Sequence, residues 1–279
     1  MIVTIIGTGL IGGSMALALR DKGFADKVIG VDLNPAHLQT AKKTGLIDEA
    51  ASLETAIHPA DLIILAVPIN AAEKLLPGIL DQAAGKVVMD VGSTKQKICD
   101  TVAEHPNRGR FVATHPMWGT EYSGPEAAVR GAFTDKATVI CSREESDEDA
   151  AQLVEKVYSL LGMQIVYMPA DAHDVHVAYV SHISHITSFA LANTVLEKER
   201  EEDAIFALAS GGFESTVRLA KSNPSMWVPI FMQNRENVLD VLNEHISQLR
   251  KFKACLEKEN DAYLQELIEN ANGIRRIIK

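Results

Sequence analysis

Two rhythms of apolar and polar positions divide the chain. Through the first 168 residues, short apolar runs recur at 2–6, 28–31, 62–67, 87–91, 111–114, 138–141 and 164–167. Several are continuous rather than alternating, as strands covered on both faces of a parallel sheet require. Between them lie stretches of helical period, such as 12–22, 35–44 and 147–161. Strands that alternate with helices predict a Rossmann-type, doubly wound α/β sheet. After Pro169 the strand signal stops. The pattern from 171 to about 202 predicts one long helix, with Val175, Ala178, Ile183, Ile186 and Leu191 among its apolar positions. Gly211-Gly212 breaks the chain, and Pro224 opens a second long helix through Trp227, Ile230, Phe231, Val238, Leu242, Ile246 and Leu249. A last helix is expected over roughly 261–277. The expected organisation is thus a doubly wound α/β domain over 1–168 and an all-α domain over 169–279. Two helices of that length carry more apolar stripe than one subunit covers, so the helical domain is expected to form a homodimer.

Composition narrows the partners. The net charge of −10 leaves no basic face for a nucleic acid. A hydrophobic share of 47% with 23% charged residues is an ordinary globular balance. The longest apolar runs are too short to cross a bilayer, and no basic segment precedes the first one, so neither a membrane partner nor a signal peptide is expected. Cys99, Cys141 and Cys255 are far apart and form no CxxC pair. Such cysteine usage fits a reducing, cytoplasmic setting and gives no metal signature.

The chemistry begins at Gly7-Thr8-Gly9-Leu10-Ile11-Gly12, a G-x-G-x-x-G that follows a predicted strand and opens a predicted helix. In that setting the first glycine allows the turn, the second lets the backbone approach a pyrophosphate, and the third lets helix and strand pack closely. The helix N-terminus then faces the phosphates. Asp32 ends the next predicted strand, twenty residues after Gly12. A carboxylate there accepts hydrogen bonds from the adenosine ribose and repels a 2′-phosphate, so the expected cofactor is NAD rather than NADP.

Ligands of an open parallel sheet sit beyond the carboxyl ends of its strands. Ser93 and His115 each fall just past a predicted strand. On residue type alone Ser93 reads first as a helix N-cap, and His115 reads as either a turn histidine or a proton acceptor. In the helical half, Ser181-His182-Ile183-Ser184-His185 sets two histidines at i, i+3 on one face, either as a polar stripe or as part of a site. No carboxylate or cysteine nearby completes a metal-ligand set. Arg218 suits a surface salt bridge or an anion grip, and Glu214, four residues earlier, is placed to pair with it.

Five segments taken together resemble the prephenate/arogenate dehydrogenase family of tyrosine biosynthesis. They are GxGLIGGS at 7–14, DVGSTK at 90–95, HPMWGTE at 115–121, SHISH at 181–185 and GGFxxxxRLAxSxPxMW at 211–227. The resemblance implies a nucleotide domain followed by a helical dimerisation domain. It implies NAD-dependent oxidative decarboxylation of prephenate to 4-hydroxyphenylpyruvate, or of arogenate, with hydride leaving substrate C4. It also implies roles: His115 bonds the C4 hydroxyl, Ser93 bridges that hydroxyl and the nicotinamide, and Ser181, His182 and His185 line the substrate site. Arg218 grips a substrate carboxylate, and Trp227 is an aromatic beside it. Glu214 departs from the family, where a basic residue is common. The chain is shorter than members fused to a mutase or regulatory domain, so neither is expected. Dehydrogenases of the β-hydroxyacid type share this layout but use a lysine in the long helix, whose first lysine here is Lys198.

Overall fold

The computed structural model describes residues 1–83, 85–199 and 208–277. Its first half runs β1 (Ile2–Ile6), α1 (Leu10–Asp21), β2 (Lys27–Val31), α2 (Pro35–Lys43), β3 (Glu49–Ala50), α3 (Leu53–Ile57), β4 (Leu62–Leu65), α4 (Ile69–Gln82) and β5 (Val87–Asp90). It continues through α5 (Gln96–Thr101), β6 (Phe111–Pro116), β7 (Ala137–Cys141), α6 (Glu148–Leu160) and β8 (Gln164–Met168). The eight strands form one sheet in the order β3-β2-β1-β4-β5-β6-β7-β8. Neighbours from β3 to β6 are parallel, β6 and β7 are antiparallel, and β7 and β8 are parallel again. Chain order reverses between β1 and β4, so the crevice beyond their carboxyl ends is the switch point where α/β sheets take ligands.

The continuous apolar runs are explained by burial on both faces. Val3, Ile5, Leu62, Ile64 and Met89 share one core with Met15 and Leu19 of α1 and with Val154 and Val157 of α6. Ile6, Ile63, Leu65 and Val88 point the other way, into a core with Ile57, Leu76, Ile79 and Ile98 of the helices between. Each such side chain removed from water contributes roughly 1.5–3 kcal/mol. The sheet with its helices on both faces, followed by a helical region, is the expected fold class.

The helical region departs from the expected pair of long helices. It comprises α7 (Ala170–Val177), α8 (Ile183–Glu199), α9 (Gly211–Val217), α10 (Pro224–Gln233), α11 (Arg235–Glu257) and α12 (Asp261–Ala271). The first expected long helix is interrupted by a π-helical turn at Ala178–His182, and the part assigned to 200–202 lies outside the described residues. The second is broken at Asn234, whose backbone leaves helical geometry while its side chain donates to the α7 carbonyl of Asp174 at 2.7 Å. The final helix tightens to a 3₁₀ turn at Asn272–Arg276. Asn-Pro pairs start two helices alike: Asn34 accepts from the Ala36 amide and Asn223 from the Ser225 amide, with proline in the first turn.

Candidate active site

The nucleotide end is built by the turn between β1 and α1. Gly7 has φ +99°, and a Cβ there would lie 2.4 Å from the Ala66 carbonyl oxygen, so only glycine fits. A Cβ on Gly12 would lie 2.0 Å from the Gly7 oxygen. At Gly9 the same atom would meet nothing within 4 Å, leaving open space beside a helix start that no side chain caps. Leu10 and Ile11 form the first turn of α1. Asp32, just past β2, is more engaged than its spacing suggested. Its Oδ2 accepts from the Thr8 amide and hydroxyl, both at 3.0 Å, and its Oδ1 accepts from the Asn34 amide at 2.9 Å. These bonds tie the glycine turn to the end of β2, and a carboxylate with about four acceptor sites keeps capacity for a ribose hydroxyl.

Ser93 is half-buried in the turn after β5, but it is not the N-cap of the following helix. That helix starts at Gln96, and its first amides are held by Asp174 of α7, which accepts from Lys95 N at 2.7 Å and Gln96 N at 3.0 Å. A carboxylate suits this position, where amides and the helix dipole converge. Lys95 itself is buried, with its ammonium on the Asp90 carboxylate and 2.7 Å from the Thr114 carbonyl oxygen. That pair fastens β5 to β6 one residue before His115.

His115 stands near the carboxyl end of β6, on the same side of the sheet as the glycine turn that follows β1. Its Nδ1 lies 2.9 Å from Nε2 of His173, and His173 Nδ1 lies 2.8 Å from Asp174 Oδ1. Burial first, then His173, Lys95 and His182, hold His115 well below the ordinary histidine range. Burial also lowers His173, against the pull of Asp174. His182 is pushed down to about 4, again mainly by burial. All three are therefore neutral imidazoles at pH 7.

His182 and His185 are both buried rather than displayed as a polar stripe. His182 Nδ1 meets Asn234 Nδ2 at 3.2 Å. His185 donates from Nδ1 to the Ser181 carbonyl oxygen at 3.0 Å and stacks on Trp227, with ring centroids 3.4 Å apart. Trp227 thus packs within its own chain, and its buried indole N–H has no hydrogen-bond partner among the described residues. Arg218 is exposed and pairs with Glu121 at 3.2 Å, not with Glu214 as the helical spacing suggested. The backbone turns into a 3₁₀ segment at Arg218–Lys221, which removes the i, i+4 alignment. His173, Asp174, Asn234 and Glu121 were not singled out from sequence. Glu121 lies inside the HPMWGTE segment, and the adjacent His173-Asp174 pair at the start of a helix was the available signal for the others.

Residues 15–167 match the family model for the prephenate dehydrogenase nucleotide-binding domain, and residues 169–270 match that for the prephenate dehydrogenase dimerization domain. Prephenate dehydrogenase of Bacillus subtilis is 29% identical, over 98% of this chain and 75% of that protein. The crystal structure of prephenate dehydrogenase from A. aeolicus in complex with hydroxyphenyl propionate and NAD+ is 30% identical, with a TM-score of 0.89 over 100% of this chain and 98% of that one. Synechocystis arogenate dehydrogenase is 26% identical, with a TM-score of 0.78 over 99% of both chains. With family models matched across both halves and a full-length structural relative at that identity, the chain belongs to the prephenate dehydrogenase family.

Proposed function

We propose that this chain is a cytoplasmic, homodimeric, NAD-dependent dehydrogenase that converts prephenate to 4-hydroxyphenylpyruvate. The observation that carries the reading is His115 at the carboxyl end of β6, bonded to His173, in a mostly parallel sheet whose glycine turn is open at Gly9. The relative from A. aeolicus, described with NAD+ and hydroxyphenyl propionate, supports the same ligand classes.

In this reading Gly7, Gly9, Leu10, Ile11 and Gly12 hold the pyrophosphate, and Asp32 takes the ribose hydroxyls. Bound NAD supplies the hydride acceptor. His115 accepts the proton of the C4 hydroxyl as that carbon becomes carbonyl-like, and loss of the ring carboxylate as CO2 restores aromaticity. Ser93 hydrogen-bonds the same hydroxyl. Arg218 holds a substrate carboxylate through its planar fork, while Ser181, His182, His185 and Trp227 wall the ring site.

Arogenate is the second reading, and a specific contact favours it. The Glu121 carboxylate on Arg218 offers a partner to an ammonium, which arogenate carries and prephenate lacks. NADH formation from prephenate, from arogenate and from a 3-hydroxy acid, with one preparation, separates the possibilities. Turnover of prephenate with at least tenfold higher kcat/KM supports the proposal. Preference for arogenate selects the second reading, and preference for the hydroxy acid removes both.

A further inference from the structure

We propose that His173 and Asp174 are positioning residues behind His115. They fix its tautomer so that Nε2 takes the substrate proton, and they draw the resulting positive charge away from the cleft. This rests on the reading of His115 as the proton acceptor.

The proton positions follow from which atoms can donate. A carboxylate only accepts, so the 2.8 Å contact of Asp174 Oδ1 requires a hydrogen on His173 Nδ1. A neutral His173 then carries a lone pair on Nε2. The 2.9 Å contact between that atom and His115 Nδ1 needs one hydrogen, and His115 must supply it. A neutral His115 protonated at Nδ1 has its lone pair on Nε2. The chain Asp174, His173, His115 therefore admits one arrangement of hydrogens when both rings are neutral.

Asp174 is itself held on three sides. Its carboxylate accepts from two backbone amides of the β5–α5 connection, and its own carbonyl accepts from Asn234. The rings of His115 and His173 cross at 69° with centroids 5.1 Å apart, so neither turns without displacing the other. His173 is fully buried and Asp174 nearly so, in surroundings where such contacts are strong.

The charge step balances. The substrate O–H bond breaks and a new N–H bond forms at His115 Nε2. The His115 Nδ1–H bond then breaks as a hydrogen bonds to His173 Nε2. Positive charge ends on His173, against the Asp174 carboxylate, and His115 is neutral again. Burial opposes that charge, as does Lys95, while the hydrogen bond and charge of Asp174, with Asp90, favour it. Burial, then His173, Lys95 and His182, disfavour charge on His115, and of the two rings only His173 has a carboxylate in direct contact to hold it.

The test is a double-mutant cycle on kcat, with NAD saturating. His173→Leu is expected to lower kcat roughly 10²-fold, within the range an acid–base group contributes, with KM within about twofold. In a His115→Asn background the same change is expected to cost almost nothing, because its effect runs through His115. His173→Gln, which keeps an acceptor for His115 Nδ1–H, is expected to recover part of the loss. Losses that multiply, or a change confined to KM, would overturn the relay. If His115→Asn alone keeps its kcat, the reading of His115 falls instead. Should the His173 variants fail to fold, ¹⁵N histidine shifts of the unmodified protein decide: His115 protonated at Nδ1 supports the relay, and protonation at Nε2 overturns it.

Discussion

Asn234 donates from one side-chain nitrogen to two acceptors, the Asp174 carbonyl oxygen at 2.7 Å and His182 Nδ1 at 3.2 Å. A carbonyl cannot donate, so the nitrogen and not the oxygen of the amide faces both groups. His182 is neutral and accepts at Nδ1, which leaves its hydrogen on Nε2. It is therefore a donor at the atom where His115 is an acceptor. Asn234→Leu is expected to release that tautomer and to raise KM on the order of tenfold, with a fall in kcat beside it because the Asp174 carbonyl loses its donor. Steady-state kinetics with saturating NAD measures it, and an unchanged KM counts against the donor role of His182.

The same burial makes the fold acid-sensitive. The pKa of His182 falls from 6.5 to about 4 on folding, so the unfolded chain binds protons more readily there. Its contribution is complete above about pH 6.5 and is lost as pH falls towards 4. The shift corresponds to about 3 kcal/mol. His115, His173 and His185 are shifted in the same direction, so acid acts on the fold through them as well. Tm by calorimetry is expected to drop on the order of 10 °C between pH 7 and pH 4. A flat profile would mean that these rings are more hydrated than they are here.

At the nucleotide end, Asp32 is expected to set cofactor choice. Leu33 is fully exposed beside it. Asp32→Ser with Leu33→Arg should shift the kcat/KM ratio towards NADP by at least tenfold. Because Asp32 also holds Thr8, a parallel rise in KM for NAD is expected. Equal use of both cofactors by the unmodified enzyme would remove the assignment.

Much of this arrangement was legible in the residues, for physical reasons. Strands buried on both faces must be apolar throughout, so β1, β4 and β5 announce themselves. The two-residue strand β3 (Glu49–Ala50) is exposed and carries no such signal. The glycine turn was readable from its spacing, and Gly7 and Gly12 each meet a steric demand there. The relay was not, since His173 and Asp174 become partners of His115 and α5 only after α7 docks on the sheet. Nor was the break at Asn234, where long-range hydrogen bonds override a continuous apolar stripe. Arg218 was singled out from sequence, but it pairs with Glu121, 97 residues away, rather than with the local Glu214.

Apolar residues of the helical region remain uncovered in the single chain. Val180, Val228, Met232 and Leu249 are each more than half exposed, and a monomer seldom leaves so many apolar positions to water. Light scattering at micromolar concentration is expected to give twice the chain mass. Leu249→Asp should shift the equilibrium towards monomer. A single-chain mass for the unmodified protein contradicts the dimer.

In the proposed mechanism neutral His115 accepts the substrate proton as hydride leaves. Its contribution then belongs to the transition state, so His115→Asn is expected to lower kcat by roughly 10²–10⁴-fold with little change in KM. Because burial holds its pKa well below 6.5, the acid loss of kcat/KM in the unmodified enzyme should fall below that pH, and the variant should lack it. A near-normal kcat for His115→Asn, with saturating NAD and substrate, would make the histidine a structural residue of β6 and contradict the mechanism.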